Sequence, residues 1–359
     1  MSSSSYVIWS SDYSQTNGQA IVTDFVVRSM EEINWGKFIY QPGFSGIWKL
    51  PLLIFRLYLH LATHRRSTVY VVASRSFFGF IRDIPILWLS MLGFRVIVHS
   101  HGSDIVTLLS SGFMSPFARF LYRRCVVIVP SEHLLDQLCE LKCGNVRVCE
   151  NFTTVLMDYE IEIEIENEVS DNGSFTVLWN SNIISSKGIF DVATAVMELN
   201  DRGYQIELIA LGQVVPDEEM TRAEAQCKLD QFAGEKWFRY VGRVPSDTVL
   251  AWLRISNVVC LPSRYRSECQ PLAAIQAMCH GLPLVLADTP ALQTTAGEYP
   301  AIYVQSGNVE EICSAIIQSM ESYADHKVLA NNALKARRRF SKERFSKTML
   351  SVLTDDSNY

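Results

Sequence analysis

Short apolar runs punctuate the chain, each followed by a polar loop and then by a segment with apolar residues at helical spacing. In the first half the runs lie at 6–9, 38–40, 69–73, 94–99, 126–129 and 146–149. Runs this short, rich in valine and isoleucine, predict buried strands, and the helical segments between them predict crossovers in a parallel sheet. The opening step is a strand at 6–9, a loop at 11–19 containing Asn17-Gly18, and a helix over 20–32. The second half repeats the scheme, with strands at 175–179, 206–211, 237–241, 283–287 and 302–304 and another beginning at Val258. Helices are expected over 189–199, 218–232, 247–253 and 308–320, the last opening on Asn308 as its cap. Two doubly wound α/β units follow, alike in kind but not in sequence.

Between them, 158–173 is the clearest break in composition. Glu160, Glu162, Glu164, Glu166 and Glu168 alternate with other residues, mostly apolar, before Ser170-Asp171-Asn172-Gly173. A charge run of this sort is a solvated linker. The expected organisation is a first domain over 1–152, an acidic linker over 153–173, a second domain over 174–335, and a C-terminal helix over 336–359. That helix belongs to a basic amphipathic pattern at 333–353, which would pack back on the first domain or lie on acidic lipid.

Size and charge narrow the picture. A chain of 359 residues, 48% hydrophobic and 19% charged with a net charge of −6, has room for two cores and is poorly suited to nucleic acid. No basic leader with a cleavage site precedes the first strand, and the nine cysteines lie scattered in predicted elements, which favours a reduced cytoplasmic setting. The most apolar stretches, 47–62 and 77–98, are interrupted by Lys49, Arg56, Arg82, Asp83 and Arg95. A spanning helix needs about 20 nearly uncharged residues, so both read as core helices, the second followed by a strand after Gly93. Trp48, Leu52, Phe55, Arg56, Arg65 and Arg66 also suit a peripheral contact with anionic lipid.

Candidate chemistry gathers after strands. From Val258 an apolar strand ends in Pro262-Ser263, a polar loop carries Glu268, and Pro271 opens an apolar helix. Ligands of doubly wound folds bind outside the carboxyl ends of strands, where helix N-termini offer free N–H groups to anions. An acid in that place suits a ligand with hydroxyls beside negative charge, such as a sugar joined to a diphosphate. Lys187-Gly188 precedes another helix and can reach the same anion, and Gly242-Arg243 follows a strand where a base could sit. His99 and His101 end the strand at 94–99 and begin its loop, which suits a ligand-facing histidine or one that caps the neighbouring helix. Their spacing and the lack of a further ligand cluster argue against a metal.

These residues resemble the retaining glycosyltransferases of family four. The shared features run in order: Asn17-Gly18, His101-Gly102, Pro130-Ser131-Glu132, Asn151, Ser186-Lys187-Gly188, Gly242-Arg243-Val244, the Glu268 stretch and Gly281-Leu282-Pro283. The resemblance implies a GT-B fold, two Rossmann-like doubly wound parallel-sheet domains facing across a cleft, with no metal and a nucleotide diphosphate sugar as donor. Carried over, Glu268 bonds donor-sugar hydroxyls, and Cys269, Gln270, Pro271 and Leu272 turn over the sugar and diphosphate. Lys187 pairs with the diphosphate, Gly18 admits its distal phosphate, Gly242 and Arg243 border the base, and His101 faces the reacting carbon. Two positions depart from the family. Its second glutamate, a ribose ligand, is Gln276, giving Glu-x7-Gln, and its Gly-Arg pair before the lysine is Ser181-Asn182. Arg243 or Arg264 would then supply the missing positive charge.

The implied function is retaining transfer of a sugar to a glycan or lipid-linked glycan in cell-surface polysaccharide synthesis, of the O-antigen, lipopolysaccharide or capsule type. It would act in the cytoplasm or at the inner face of the membrane. Asn182 and Gln276 keep open a non-catalytic sugar-nucleotide-binding subunit, and a nucleotide-sugar epimerase would share the fold.

Overall fold

The computed structural model describes residues 6–13, 18–29, 35–41, 44–153, 174–245, 248–322 and 326–355. The expected linker, from 154 onward, and Asn17 lie outside the described residues. The chain divides into two compact units, 1–151 with 342–359 and 152–341.

The first unit is built on six strands: β1 (Tyr6–Ser11), β2 (Trp35–Tyr40), β3 (Thr68–Val72), β4 (Arg95–His99), β5 (Val126–Val129) and β6 (Asn145–Val148). All pair in parallel, in the order β2-β1-β3-β4-β5-β6. Strands β3, β4 and β5 are buried at every position, as the centre of a sheet covered on both faces by crossover helices requires. One polar cluster drawn into this core is paired: the Trp9 Nε1–H donates to Asp83 Oδ1 at 2.9 Å, and Arg82 binds the same carboxylate at 2.9 and 3.1 Å. The helix Lys342–Thr354 packs here too, with Phe345 against Phe25 and the Arg95 guanidinium donating to the carbonyls of Val352 and Leu353. A cation at a helix C-terminus meets both the free carbonyls and the negative end of the dipole.

The second unit repeats the plan with β7 (Phe175–Asn180), β8 (Ile206–Leu211), β9 (Phe238–Gly242), β10 (Val258–Leu261), β11 (Leu284–Ala287) and β12 (Ala301–Val304). Their order is β12-β11-β10-β7-β8-β9, again parallel throughout. The chain winds outward from β7 in one direction and from β10 in the other. These two neighbours form the switch point of the sheet, and ligands bind outside their carboxyl ends in folds of this kind.

Two expected helices come out differently. The pattern at 333–353 is not one helix but two, His326–Arg339 and Lys342–Thr354. Phe340 between them is 1% exposed, and its carbonyl accepts from Thr153 N–H at 2.9 Å in place of a helical partner. Nor do Arg337 and Arg339 lie open to lipid. They donate to the carbonyls of Cys279, Thr295 and Thr294 within the second unit. In the first unit, the stretch 47–62 supplies the helix Leu50–Thr63, expected in the core, yet it buries only Leu57 and Leu61. Leu52, Phe55 and Leu59 are each more than half exposed. The stretch 77–98 gives the helix Phe77–Leu87, a 3-10 turn Trp88–Leu92 and then β4, with Gly93 ending the turn at φ +84°. Among the described residues no helix is long and apolar enough to cross a membrane.

Candidate active site

The site is assembled at the switch point of the second sheet. β7 delivers Ser181 and Asn182, and β10 delivers the loop from Ser263 to Gln270. Lys187 enters from a single 3-10 turn, Ser185–Lys187, that leads through Gly188 into the helix Ile189–Asp201. Gly188 has φ +91°, and a Cβ there would meet the Pro262 carbonyl oxygen at 2.9 Å. Glycine is therefore what lets the lysine turn lie directly on the end of β10.

Lys187 Nζ lies 3.3 Å from Glu268 Oε2, the two side chains being 14% and 12% exposed. The ammonium also donates to Ser181 Oγ at 3.1 Å, and Ser263 Oγ donates to Glu268 Oε2 at 3.1 Å. Glu268 N–H closes the loop by donating to the Tyr265 carbonyl at 3.0 Å. The structure thus joins the two residues that sequence motifs single out on separate elements. An ammonium beside a carboxylate at strand ends offers one group to a phosphate oxygen and the other to a hydroxyl.

Cys269, Gln270 and Pro271 are buried and lead into the helix Leu272–His280, whose N-cap is Pro271 with φ −70°. Gln276, on that helix, is 7% exposed, and its Oε1 accepts from Asn180 Nδ2 at 3.1 Å. The amide is thus held by a neighbour at the end of β7. Gly242 ends β9 with φ +80°, and Arg243 after it is exposed.

Arg264, one of the two arginines expected to add positive charge for the diphosphate, is held by acids of its own unit. Its guanidinium binds Glu219 at 2.7 and 2.9 Å and Asp191 at 2.5 Å, and its own backbone N–H donates to the Ser186 carbonyl at 2.8 Å. Its charge is met by two carboxylates, and the Arg264 bonds hold the Glu219 carboxyl below the usual range. Glu219 Oε2 in turn accepts from Ser185 Oγ at 2.8 Å, and Asp217 accepts from Ser186 N–H at 2.7 Å. Around Lys187 stands a braced shell that no motif announces. Gly212 escapes motif reading as well: at φ +110° a Cβ would fall 2.3 Å from the Ser181 carbonyl oxygen. A signal exists for it, since Leu211-Gly212 ends a strand as Val241-Gly242 does.

Gly18 and His101 belong to the first unit. Gly18 begins the helix Gly18–Ser29 after β1, and His101 follows β4, with β3 between those strands. His101 lies 4.0 Å from His99, ring centroid to centroid, and His99 Nδ1 is 2.5 Å from Tyr70 Oη. Burial, and then the Arg75 charge, push the His101 imidazole down to about 3. Burial, and then His101, hold His99 well below its ordinary value. Both rings are neutral at physiological pH. The one grouping of metal-ligand type among the described residues, Glu198, Glu310 and Cys313, lies elsewhere and has Arg202 bonded to both carboxylates.

A search of curated protein sequences returns no match. Residues 160–336 match the model of the family described as Glycosyl transferases group 1. Among solved structures, HepE from Anabaena, in complex with UDP and glucose, aligns with TM-score 0.73 at 15% identity, covering 98% of this chain and 100% of that one. Sucrose-phosphate synthase from Thermosynechococcus elongatus aligns with TM-score 0.72 at 14% identity, over 97% of this chain and 98% of that one. The apo lipopolysaccharide outer core galactosyltransferase WaaB gives 0.63 at 10% identity, over 97% and 99%. Sequence match and structural likeness agree: the chain has the GT-B fold, and its second unit carries the sequence pattern of the Glycosyl transferases group 1 family.

Proposed function

We propose that the chain is a retaining glycosyltransferase that moves a sugar from a nucleotide diphosphate sugar to a glycan or lipid-linked glycan of the cell surface. The observation that carries this is the Lys187–Glu268 pair at the switch point of the second sheet. On this reading the donor diphosphate displaces Glu268 from the ammonium, and the freed carboxylate accepts from sugar hydroxyls. The N-terminal end of the helix Leu272–His280, after Gln270, adds its dipole to the diphosphate. Lysine and helix then supply the positive charge with no metal. The family resemblance gives His101, neutral here, the part of a polar group without charge. Catalysis rests on holding the reactants in place and stabilising charge on the leaving diphosphate.

HepE was solved with UDP and with UDP-glucose, which makes these the first ligands to try. WaaB, by name a lipopolysaccharide galactosyltransferase, supports an acceptor of that class. A lipid-linked acceptor would be met at the inner face of the membrane. A second reading, a subunit that binds the donor without turnover, is favoured by one observation, the hydrogen bond that holds Gln276 on Asn180. The test incubates the purified chain with labelled nucleotide sugars and a membrane lipid extract. Labelled glycolipid is the expected product. Donor binding with no product supports the second reading, and an isomerised donor would overturn both.

A further inference from the structure

Among the described residues, the exposed large apolar side chains are concentrated in one stretch of the first unit. Thirteen of these nineteen side chains fall between Ile47 and Phe120. Trp48 is 88% exposed, Phe113 84% and Phe78 81%. Large apolar groups turned to water in this density mark an interaction surface. Charge marks the same stretch. From 44 to 124 there are ten Lys and Arg, of which Arg95 is buried, against two Asp, in a chain of net charge −6. Both acids are already paired, Asp83 with Arg82 and Asp104 with Arg75.

The two signals coincide on the helix Leu50–Thr63. Leu52, Phe55, Arg56 and Leu59 recur at i, i+3, i+4 and i+7, so one exposed stripe carries them all, opposite the buried Leu57 and Leu61. The face continues onto neighbouring elements. Tyr58 Oη donates to the Pro85 carbonyl at 2.7 Å, joining this helix to Phe77–Leu87, and the Phe77 ring lies 5.9 Å from Phe113. Lys49, Arg65 and Arg66 at the ends of the stripe are exposed.

We propose that this face seats on an anionic lipid bilayer, with the apolar tips of Trp48, Phe55, Phe78 and Phe113 in the headgroup–acyl boundary and the Lys and Arg side chains against lipid phosphates. Apolar burial with electrostatic attraction to anionic headgroups is the energetics of interfacial helices. The positive face of an acidic protein selects an anionic surface over an apolar protein groove. The inference does not rest on sugar transfer, because bilayer binding needs no donor.

The test is sedimentation of the full chain with vesicles of phosphatidylcholine alone and vesicles containing phosphatidylglycerol. Binding to the anionic vesicles at low salt is expected, weakened about tenfold or more on neutral vesicles or at high salt. The double variants Trp48→Ser with Phe78→Ser, and Arg65→Glu with Arg66→Glu, should each lose about tenfold in vesicle binding while melting like the wild type, since these side chains are exposed. No binding to anionic vesicles overturns the proposal, as does equal binding to both kinds or unchanged binding by both variants. So does a lipid-free dimer that the Trp48 and Phe78 changes dissolve, which would give the face to a second copy.

Discussion

The Arg264 guanidinium grips the Glu219 carboxylate in a two-point bond, Nε to Oε1 at 2.7 Å and Nη2 to Oε2 at 2.9 Å, and reaches Asp191 with its remaining nitrogen. It thereby ties the loop that holds Glu268 to the turn that holds Lys187. Replacing it removes that tie. Arg264→Ala should lower donor affinity through loosening of both loops and cost about 1 kcal/mol of stability, the modest value of a partly exposed pair. Arg264→Lys keeps the charge but not the fork, so it should restore stability more than affinity. Donor titrations beside denaturant melts check this; equal affinity for all three proteins would remove the bracing role.

Three glycines separate close approach from conformation. Gly188, Gly212 and Gly242 all have positive φ, but only the first two would press a Cβ onto backbone, at 2.9 and 2.3 Å. Gly242 would meet nothing within 4 Å. Gly242→Ala should therefore cost about 1 kcal/mol, the left-handed penalty alone, and the other two alanine variants clearly more. Urea unfolding of the three variants gives the ranking directly.

The histidine pair predicts a pH dependence with a definite sign. His101 has its folded value lowered to about 3, against about 6.5 unfolded. Above the unfolded value both states are neutral and pH changes nothing. As pH falls through that value the unfolded chain takes up a proton that the fold refuses, so stability declines from about pH 6.5 toward 3. In a proton spectrum of the folded chain neither ring should titrate between about pH 8 and 5, the span in which histidines open to water change charge. A titrating His101 would contradict its buried neutral state.

Much of this is legible in the sequence because parallel sheets buried on both faces write themselves as short continuous apolar runs. The runs at 126–129 and 206–211 match β5 and β8 in both bounds. Glu268 and Lys187 are legible too, since each follows a strand or opens a helix where anions bind. The Arg264 brace is not, because Glu219 and Asp191 stand 45 and 73 residues from Arg264, in pairs that no local pattern links. The break at Phe340 is hidden because helical periodicity runs through it, while the Phe340 carbonyl is taken by the N–H of Thr153, far away in the sequence. The exposed face of Leu50–Thr63 reads as core for a related reason: an apolar stripe has the same period whether it faces a core or water.

Sugar transfer as proposed requires that Lys187 and Glu268 meet the donor. Their 3.3 Å pair is mostly buried, and each group would exchange its partner for part of one ligand. The most direct measurement is the rate of sugar transfer from a labelled nucleotide sugar by wild type, Lys187→Ala and Glu268→Ala, each shown by its melt to be folded. Loss of a charge-assisted bond at the reacting centre costs about 2 to 4 kcal/mol of barrier, so each variant should fall by roughly thirtyfold to a thousandfold. Transfer at the wild-type rate by both would contradict the account and place the donor elsewhere.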